Sequence, residues 1–398
     1  MRAMEDRPMT PAPFVATASR VLLEEIDNLT DEIAREVVRR EPAYGNLSPA
    51  AQQDIRNVSR DNMIAILGAL SGEPASGDAI ARATGKLRAE QGVPLPAVLR
   101  AFRIGTTVVW DRLILAADNP ADSRDLLLTA SDIWNVVDDF SQGITAAYQE
   151  TTTEQMRRDA HARDAALDVL LSGRIVDGPE LWESANVLRL PHHATYCVVV
   201  AMSGTPAGET LPGVSDSLAT VGVRSAWRVE LDSQVGVVAL TPRFDVERLA
   251  ACAAERTLGR VGVSVPYDNL EETAAARRQA QLACAAGKPG SREVVQYDKA
   301  PVAILLAGAP EVSGSLIASV LGPILALPEH ERDILLETMR TWFASGGDPS
   351  ATAAALYCHR NTVRQRLNRV AQLTGHDLTS PTAAIEVYLA LEAHRIAP

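Results

Sequence analysis

Aromatic side chains are scarce, with Phe, Trp and Tyr together making up 4% of 398 residues. Cysteine is scarcer still. The four present, Cys197, Cys252, Cys284 and Cys358, lie far apart and form no C-x-x-C pair, which argues against a zinc site and a disulfide framework and leaves buried thiols as the expected role. No apolar run is long enough for a bilayer: the longest, residues 315–327, contains serines, a glycine and a proline and falls short of the roughly 20 residues a span requires. The N-terminal MRAMEDRPMT carries acids and prolines and is not followed by an apolar segment with a small-residue cleavage site, so a cytoplasmic chain without a membrane segment is expected. Positive charge is also short, leaving a formal net charge of -12. An acidic total weakly opposes binding to a phosphate backbone, but screening confines each charge to roughly 8–10 Å at physiological salt, so a local basic patch remains open.

What is present suits a helix-rich globular protein: 46% hydrophobic and 22% charged residues, with Ala and Leu abundant. At about 150 residues per domain the length suggests two or three domains, and the texture of the chain favours three. Residues 14–150 read as a helical bundle. Val21, Leu22, Ile26, Leu29, Ile33 and Val37 fall on one helical stripe that Glu41-Pro42 would end; Ser48 as cap with Pro49 behind it opens the next helix. Further helices are expected at about 76–91, 94–118 and 121–150. In the last of these, Ile133, Val137, Phe140, Ile144 and Tyr148 form a near-heptad seam, and Leu167, Leu170 and Leu171 resume it after a polar stretch. A linker helix over 151–172 would make a lever between domains; an ordinary bundle helix followed by a solvated linker fits the same residues.

From residue 173 to 300 the chain reads as α+β. Strands are expected at 195–202, 225–231 and 235–242, the last two joined by Asp232-Ser233-Gln234, followed by a helix, a strand in GRVGVSVP, a helix and the strand EVVQYD. With a short helix near 214–221 the order is β-α-β-β-α-β-α-β, a ferredoxin-like sheet with one extra unit. A Gly- and Pro-punctuated connector covers 301–327, and residues 328–398 are all-α. There, Pro328 leads into a helix that Gly346-Gly347 ends, and PSATAAALY, HRNTVRQRLNRVAQLTG and PTAAIEVYLALEAHRI follow.

Within this all-α segment, two short helices joined by a tight turn, the second rich in Arg, make a helix-turn-helix pattern. Ala353 supplies the small residue where the helices cross, and Val363, Leu367 and Val370 face inward. Tyr357 stands where such turns often carry glycine, a strained choice for a left-handed position. Arg360, Asn361, Thr362, Arg364, Gln365 and Asn368 are left facing outward, with parts of Arg366 and Arg369. Arg can read guanine and Asn or Gln adenine through paired hydrogen bonds, while Arg366 and Arg369 are better placed for phosphates.

The segment LLETMRTWFASGGDPSATAAALYCHRNTVRQRLNRVAQLTG closely resembles the C-terminal DNA-binding domain of PucR/CdaR-type bacterial transcriptional regulators, with the signature formed by His359, Arg360, Asn361, Thr362 and Val363. VGVSVPYDNLEETAAARRQAQLACAAG is similar to the degenerate GGDEF-like domain that often precedes it, and QGVPLPAVLRAFRIGTTVVWDRL to the helical sensory domain of some such regulators and of RsbR-like co-antagonists. The hairpin VELDSQVGVVAL lacks the paired acids of a true GGDEF site, so diguanylate cyclase activity is not expected. The resemblance implies a non-enzymatic, dimeric regulator that needs no cofactor, binds double-stranded DNA through His359, Arg360, Asn361, Thr362, Arg364, Gln365, Arg366, Asn368 and Arg369, and answers to a small-molecule effector or protein partner at its N-terminal domain. Two other readings stay open: a stress-signalling interaction protein without DNA binding, and a nucleotide-binding module centred on the middle domain.

Several motifs fail on inspection. Ala83-Thr84-Gly85-Lys86-Leu87 contains a GK pair, but Ile80 replaces the first P-loop glycine and Leu87 the Ser or Thr. The stretch Gly262-Val263-Ser264-Val265-Pro266 lacks the second glycine of a nucleophile elbow. His192-His193 would diverge on any regular element and is expected in a surface loop. Arg103 and Trp110 share a helix face and could hold an anion, although a surface arginine is the commoner outcome.

Overall fold

The computed structural model describes residues 12–45, 49–73, 77–173, 178–202 and 208–397. Ser48, the expected helix cap, lies outside the described residues. The chain divides into two compact units, Met1–Ala160 and His161–Pro398, so the middle and C-terminal segments share one of them.

The first unit is the expected helical bundle: Pro13–Glu24, Ile26–Arg40, Pro49–Ser71, Gly77–Glu90, Leu95–Leu115 and the first part of Pro120–Ser172, with a short turn at Pro42–Gly45. The helix expected over residues 14–41 is two, parted at Glu25, whose φ of -100° and ψ of 20° leave the helical region. Ile26, Leu29, Ile33 and Val37 are buried as expected, but Val21 is 51% exposed. It lies about 100° around the helix from Leu22, outside the stripe that Val15, Ala18 and Ser19 share. Glu41 is more than a helix stop: its buried carboxylate receives the Arg100 guanidinium at 2.5 Å and the Ala43 N–H at 3.3 Å, and the arginine holds it below the usual carboxylate range.

Helix Pro120–Ser172 runs unbroken for 53 residues, which is the continuous helix through 151–172 rather than the alternative of a bundle helix followed by a solvated linker. Its seam is the bundle's own core, with Ile133, Phe140 and Ile144 buried and Val137 and Tyr148 packed against them. The helix Gly77–Glu90 crosses it so closely that a Cβ on Gly85 would sit 2.2 Å from the Ile144 carbonyl oxygen. The glycine of the failed P-loop is therefore a packing residue.

In the second unit, strands β1 (Tyr196–Met202), β2 (Arg224–Val229), β3 (Ser233–Ala239), β4 (Arg260–Val263) and β5 (Val294–Gln296) form one sheet in the order β2-β3-β1-β4-β5. All neighbours are antiparallel except β4 and β5. This is the ferredoxin-like order with a parallel strand added through helix Thr273–Ala286. Both faces of β1 are buried. Tyr196, Val198 and Val200 pack with Leu167, Leu170, Leu171 and Ala280, while Cys197, Val199 and Ala201 pack with Leu218, Leu249 and Ala253. Burial pushes the Cys197 and Cys284 thiols up to about 11, and all four cysteines are free. The β2–β3 connection differs from expectation: Ser233 and Gln234 belong to β3 and only Glu230 to Asp232 form the loop. Gln234 can sit in the strand because its buried side chain accepts the Leu211 N–H at 2.8 Å.

Residues 301–327, expected as an irregular connector, are helical: Pro301–Ala307, Pro310–Leu316, a π turn Ile317–Leu321 and Gly322–Leu325. Pro301 and Pro310 open helices rather than break them, because the first helical position has no intrahelical N–H bond to lose. Val320, Leu321 and Ile324 join Leu335, Leu336, Met339 and Val387 in the C-terminal core. Leu306 packs with Ala393 and Ile396 of the last helix, Pro381–Ile396, and Arg395 of that helix donates to the Ala286 carbonyl at 3.3 Å. No single described helix is long and apolar enough to cross a membrane.

Candidate nucleic-acid interface

Helix Glu329–Ala344 ends at Gly346 and Gly347, both with positive φ. Asp348 then caps the short helix Pro349–Ala355, its carboxylate accepting the Ser350 N–H at 2.9 Å and the Ala351 N–H at 3.3 Å. The chain turns through Tyr357, which does adopt the left-handed conformation, with φ of 51°. The Cys358 N–H closes the turn on the Ala353 carbonyl at 3.0 Å. The arginine-rich helix Arg360–Thr374 follows, and Gly375 at φ of 74° ends it. Val363 and Val370 are completely buried, Leu367 packs against the same core, and Ala353 is buried. The inward residues are those the spacing indicated.

The nine expected DNA-facing residues separate into four groups. Arg360, Asn361, Arg364, Gln365 and Asn368 are exposed, and among the described residues their side chains have no hydrogen-bond or ion-pair partner. They recur at helical spacing along one side of a helix that contains no carboxylate. His359 precedes the helix and caps it: its Nδ1 accepts the Asn361 N–H at 3.2 Å. Thr362 is half-buried. Arg366 and Arg369 turn toward helix Glu329–Ala344. Half-buried Arg366 donates to Thr338 Oγ1 at 3.2 Å, and Arg369 pairs with Glu331 at 3.3 Å. Arg366 follows Val363 by one turn, which is why it lies at the margin of the buried stripe; that adjacency was visible in the sequence.

Tyr357 is 98% exposed and makes no contact that requires its side chain to hold the turn. Tyr357→Gly should relieve the left-handed strain while raising the entropy of the unfolded chain, for a net gain between zero and about 1 kcal/mol in thermal melts. A clear loss would show that the ring holds the turn.

Elsewhere the expected constellations disperse. Arg103 is exposed, and Trp110 packs on Trp134 with ring centroids 6.0 Å apart. His192 and His193 are exposed in a loop beside Trp182. At the β2–β3 loop, Glu230 is held by Arg228 at 2.6 Å and Arg277 at 3.0 Å, so it is engaged structurally. Among the described residues Arg88 is a buried arginine of the bundle, and no motif in the sequence pointed to it. Its signal was the spacing of Ala81, Thr84, Gly85 and Arg88 on the buried side of one helix.

Residues 335–393 match the family described as PucR C-terminal helix-turn-helix domain. The C-terminal module is a PucR-type helix-turn-helix. Ahead of this PucR-type module, residues 172–286 match the GGDEF-like domain and residues 27–163 the RsbT co-antagonist protein rsbRD N-terminal domain. An uncharacterized protein of Mycobacterium tuberculosis is 27% identical over 281 residues, covering 66% of this chain. The match spans 61% of that relative's length. The carbohydrate diacid regulator of Escherichia coli is 42% identical over 59 residues, 15% of each chain. The transcriptional activator PmfR of Paenarthrobacter nicotinovorans is 33% identical over 135 residues, 34% of this chain and 28% of its own.

Proposed function

We propose that the protein is a transcriptional regulator that reads double-stranded DNA with helix Arg360–Thr374 and is controlled by a signal received at its helical N-terminal unit. The observation that carries this reading is the unpartnered row Arg360, Asn361, Arg364, Gln365 and Asn368 on an exposed, carboxylate-free helix face. A cationic row without a carboxylate partner on its own helix is suited to meeting a polyanion. Arg364 and Arg360 have the donors for guanine edges, and Asn361, Gln365 and Asn368 those for adenine. His359 acts through the helix it caps, and Arg366 through its bond to Thr338, so both position the reading face. Arg369 meets a phosphate by exchanging its Glu331 partner. One such helix makes few base contacts, so two copies on paired half-sites are the economical arrangement. A competition titration against the protein's own upstream DNA tests this: specific binding must survive random competitor.

A further inference from the structure

We propose that the helical N-terminal unit holds a small organic carboxylate, with the Arg88 guanidinium as its anchor and the Tyr44 hydroxyl as a second donor. Both side chains are 2% exposed, and the guanidinium lies 5.4 Å from the centre of the Tyr44 ring. A buried cation normally has an anion beside it. Arg88 has only neutral acceptors: Gln91 Oε1 at 2.6 Å and the Asp54 carbonyl at 3.4 Å, a long contact. The Asp54 carboxylate takes the Gln91 amide instead, at 3.0 Å, and among the described residues no carboxylate lies within ion-pairing distance of Arg88. Burial lowers its pKa, opposed in part by Tyr44 and by the Asp54 carboxylate beyond Gln91, so its charge is only partly compensated. The Tyr44 hydroxyl has no hydrogen-bond partner among the described residues, which leaves it free to donate.

Both side chains line one cavity of about 40 Å³. A water takes roughly 10–15 Å³ on this scale, so the space suits an anion the size of acetate or propionate. Asn62 and Thr84 add to its polar side. The Thr84 hydroxyl donates to Asn62 Oδ1 at 3.0 Å, which leaves the Asn62 amide N–H groups as further donors. Ile33, Met63 and Phe102 close the apolar side, and Gly105 faces it, where a Cβ would lie 3.3 Å from Ile33 Cγ2. Guanidinium, hydroxyl and amide donors at one end suit a carboxylate, and the hydrocarbon wall opposite suits a short alkyl group. A phosphate would turn further charged oxygens against that wall.

That the carboxylate is the signal rests on the proposed function; its binding does not. The test titrates the full chain with sodium acetate and sodium propionate, using calorimetry and thermal melts, with chloride, phosphate and propylamine at matched ionic strength. Saturable binding and a raised melting temperature are expected with the carboxylates only. Because the Tyr44 hydroxyl is unpartnered, Tyr44→Phe should fold at least as stably without ligand yet bind at least about fivefold more weakly. No saturable carboxylate binding, equal stabilisation by chloride or phosphate, or unchanged binding by Tyr44→Phe overturns the proposal. DNA affinity measured in the same samples separates the two claims. Carboxylate binding that leaves it unchanged upholds the site and removes its role as the signal, whereas DNA binding without carboxylate binding upholds the function and removes the site.

Discussion

Arg364→Ala should cost roughly 1–3 kcal/mol of specific DNA binding and relax base preference at one position of the site, because a paired hydrogen bond to guanine cannot be replaced by water on the protein side. Arg369→Ala should act differently. Its guanidinium reaches a phosphate only by leaving Glu331, so its loss should weaken all sequences alike and flatten the logarithmic salt dependence by about one unit. A titration matrix of the two variants against single-base changes, at several salt concentrations, separates the outcomes. Equal, sequence-independent losses in both would show that Arg364 makes no base contact.

Gly262→Ala should destabilise the second unit by about 3 kcal/mol or more, among the largest effects of any single methyl in this chain. A Cβ there would lie 2.0 Å from the Ala280 carbonyl oxygen and 2.2 Å from the Cys284 nitrogen, both backbone atoms of the helix packed on β4, so only a shift of that helix could make room. Gly314→Ala is the contrast. Nothing lies within 4 Å of its Cβ position and its φ is ordinary, so the substitution should leave stability unchanged or raise it by up to about 1 kcal/mol. Comparable melting temperatures for the two variants would mean that helix Thr273–Ala286 does not lie this close to the sheet.

The sequence displayed some of this and hid the rest for identifiable reasons. The last helix was legible to its ends, Pro381 and Ile396, because a proline start and an apolar stripe coincide there. The helix-turn-helix was legible because its inward positions, Val363, Leu367 and Val370, are fixed by spacing, and the left-handed turn fell on Tyr357 as the pattern required. Residues 301–327 were misread because a proline at a helix start and a proline in a loop look alike without the neighbours that bury Leu321 and Ile324. Gly85 and Gly262 stood out in motifs that failed on their own terms. Their actual role, permitting a backbone to approach within a methyl's width, is a property of the partner element and absent from local sequence. The same holds for the site residues. The outward direction of Arg364 follows from periodicity, but the turning of Arg366 toward Thr338 and the burial of Arg88 against Tyr44 depend on residues far away in the chain.

The central claim is that an acidic chain carries a DNA-reading helix at residues 360–374, and its most direct test is an anisotropy titration of the full chain against DNA from its own upstream region, at two salt concentrations with random competitor. The account predicts saturable binding that weakens with salt yet survives the competitor, and that is lost with simultaneous alanine substitution of Arg360, Asn361 and Arg364. Binding abolished by competitor, or unchanged by that triple substitution, would contradict it.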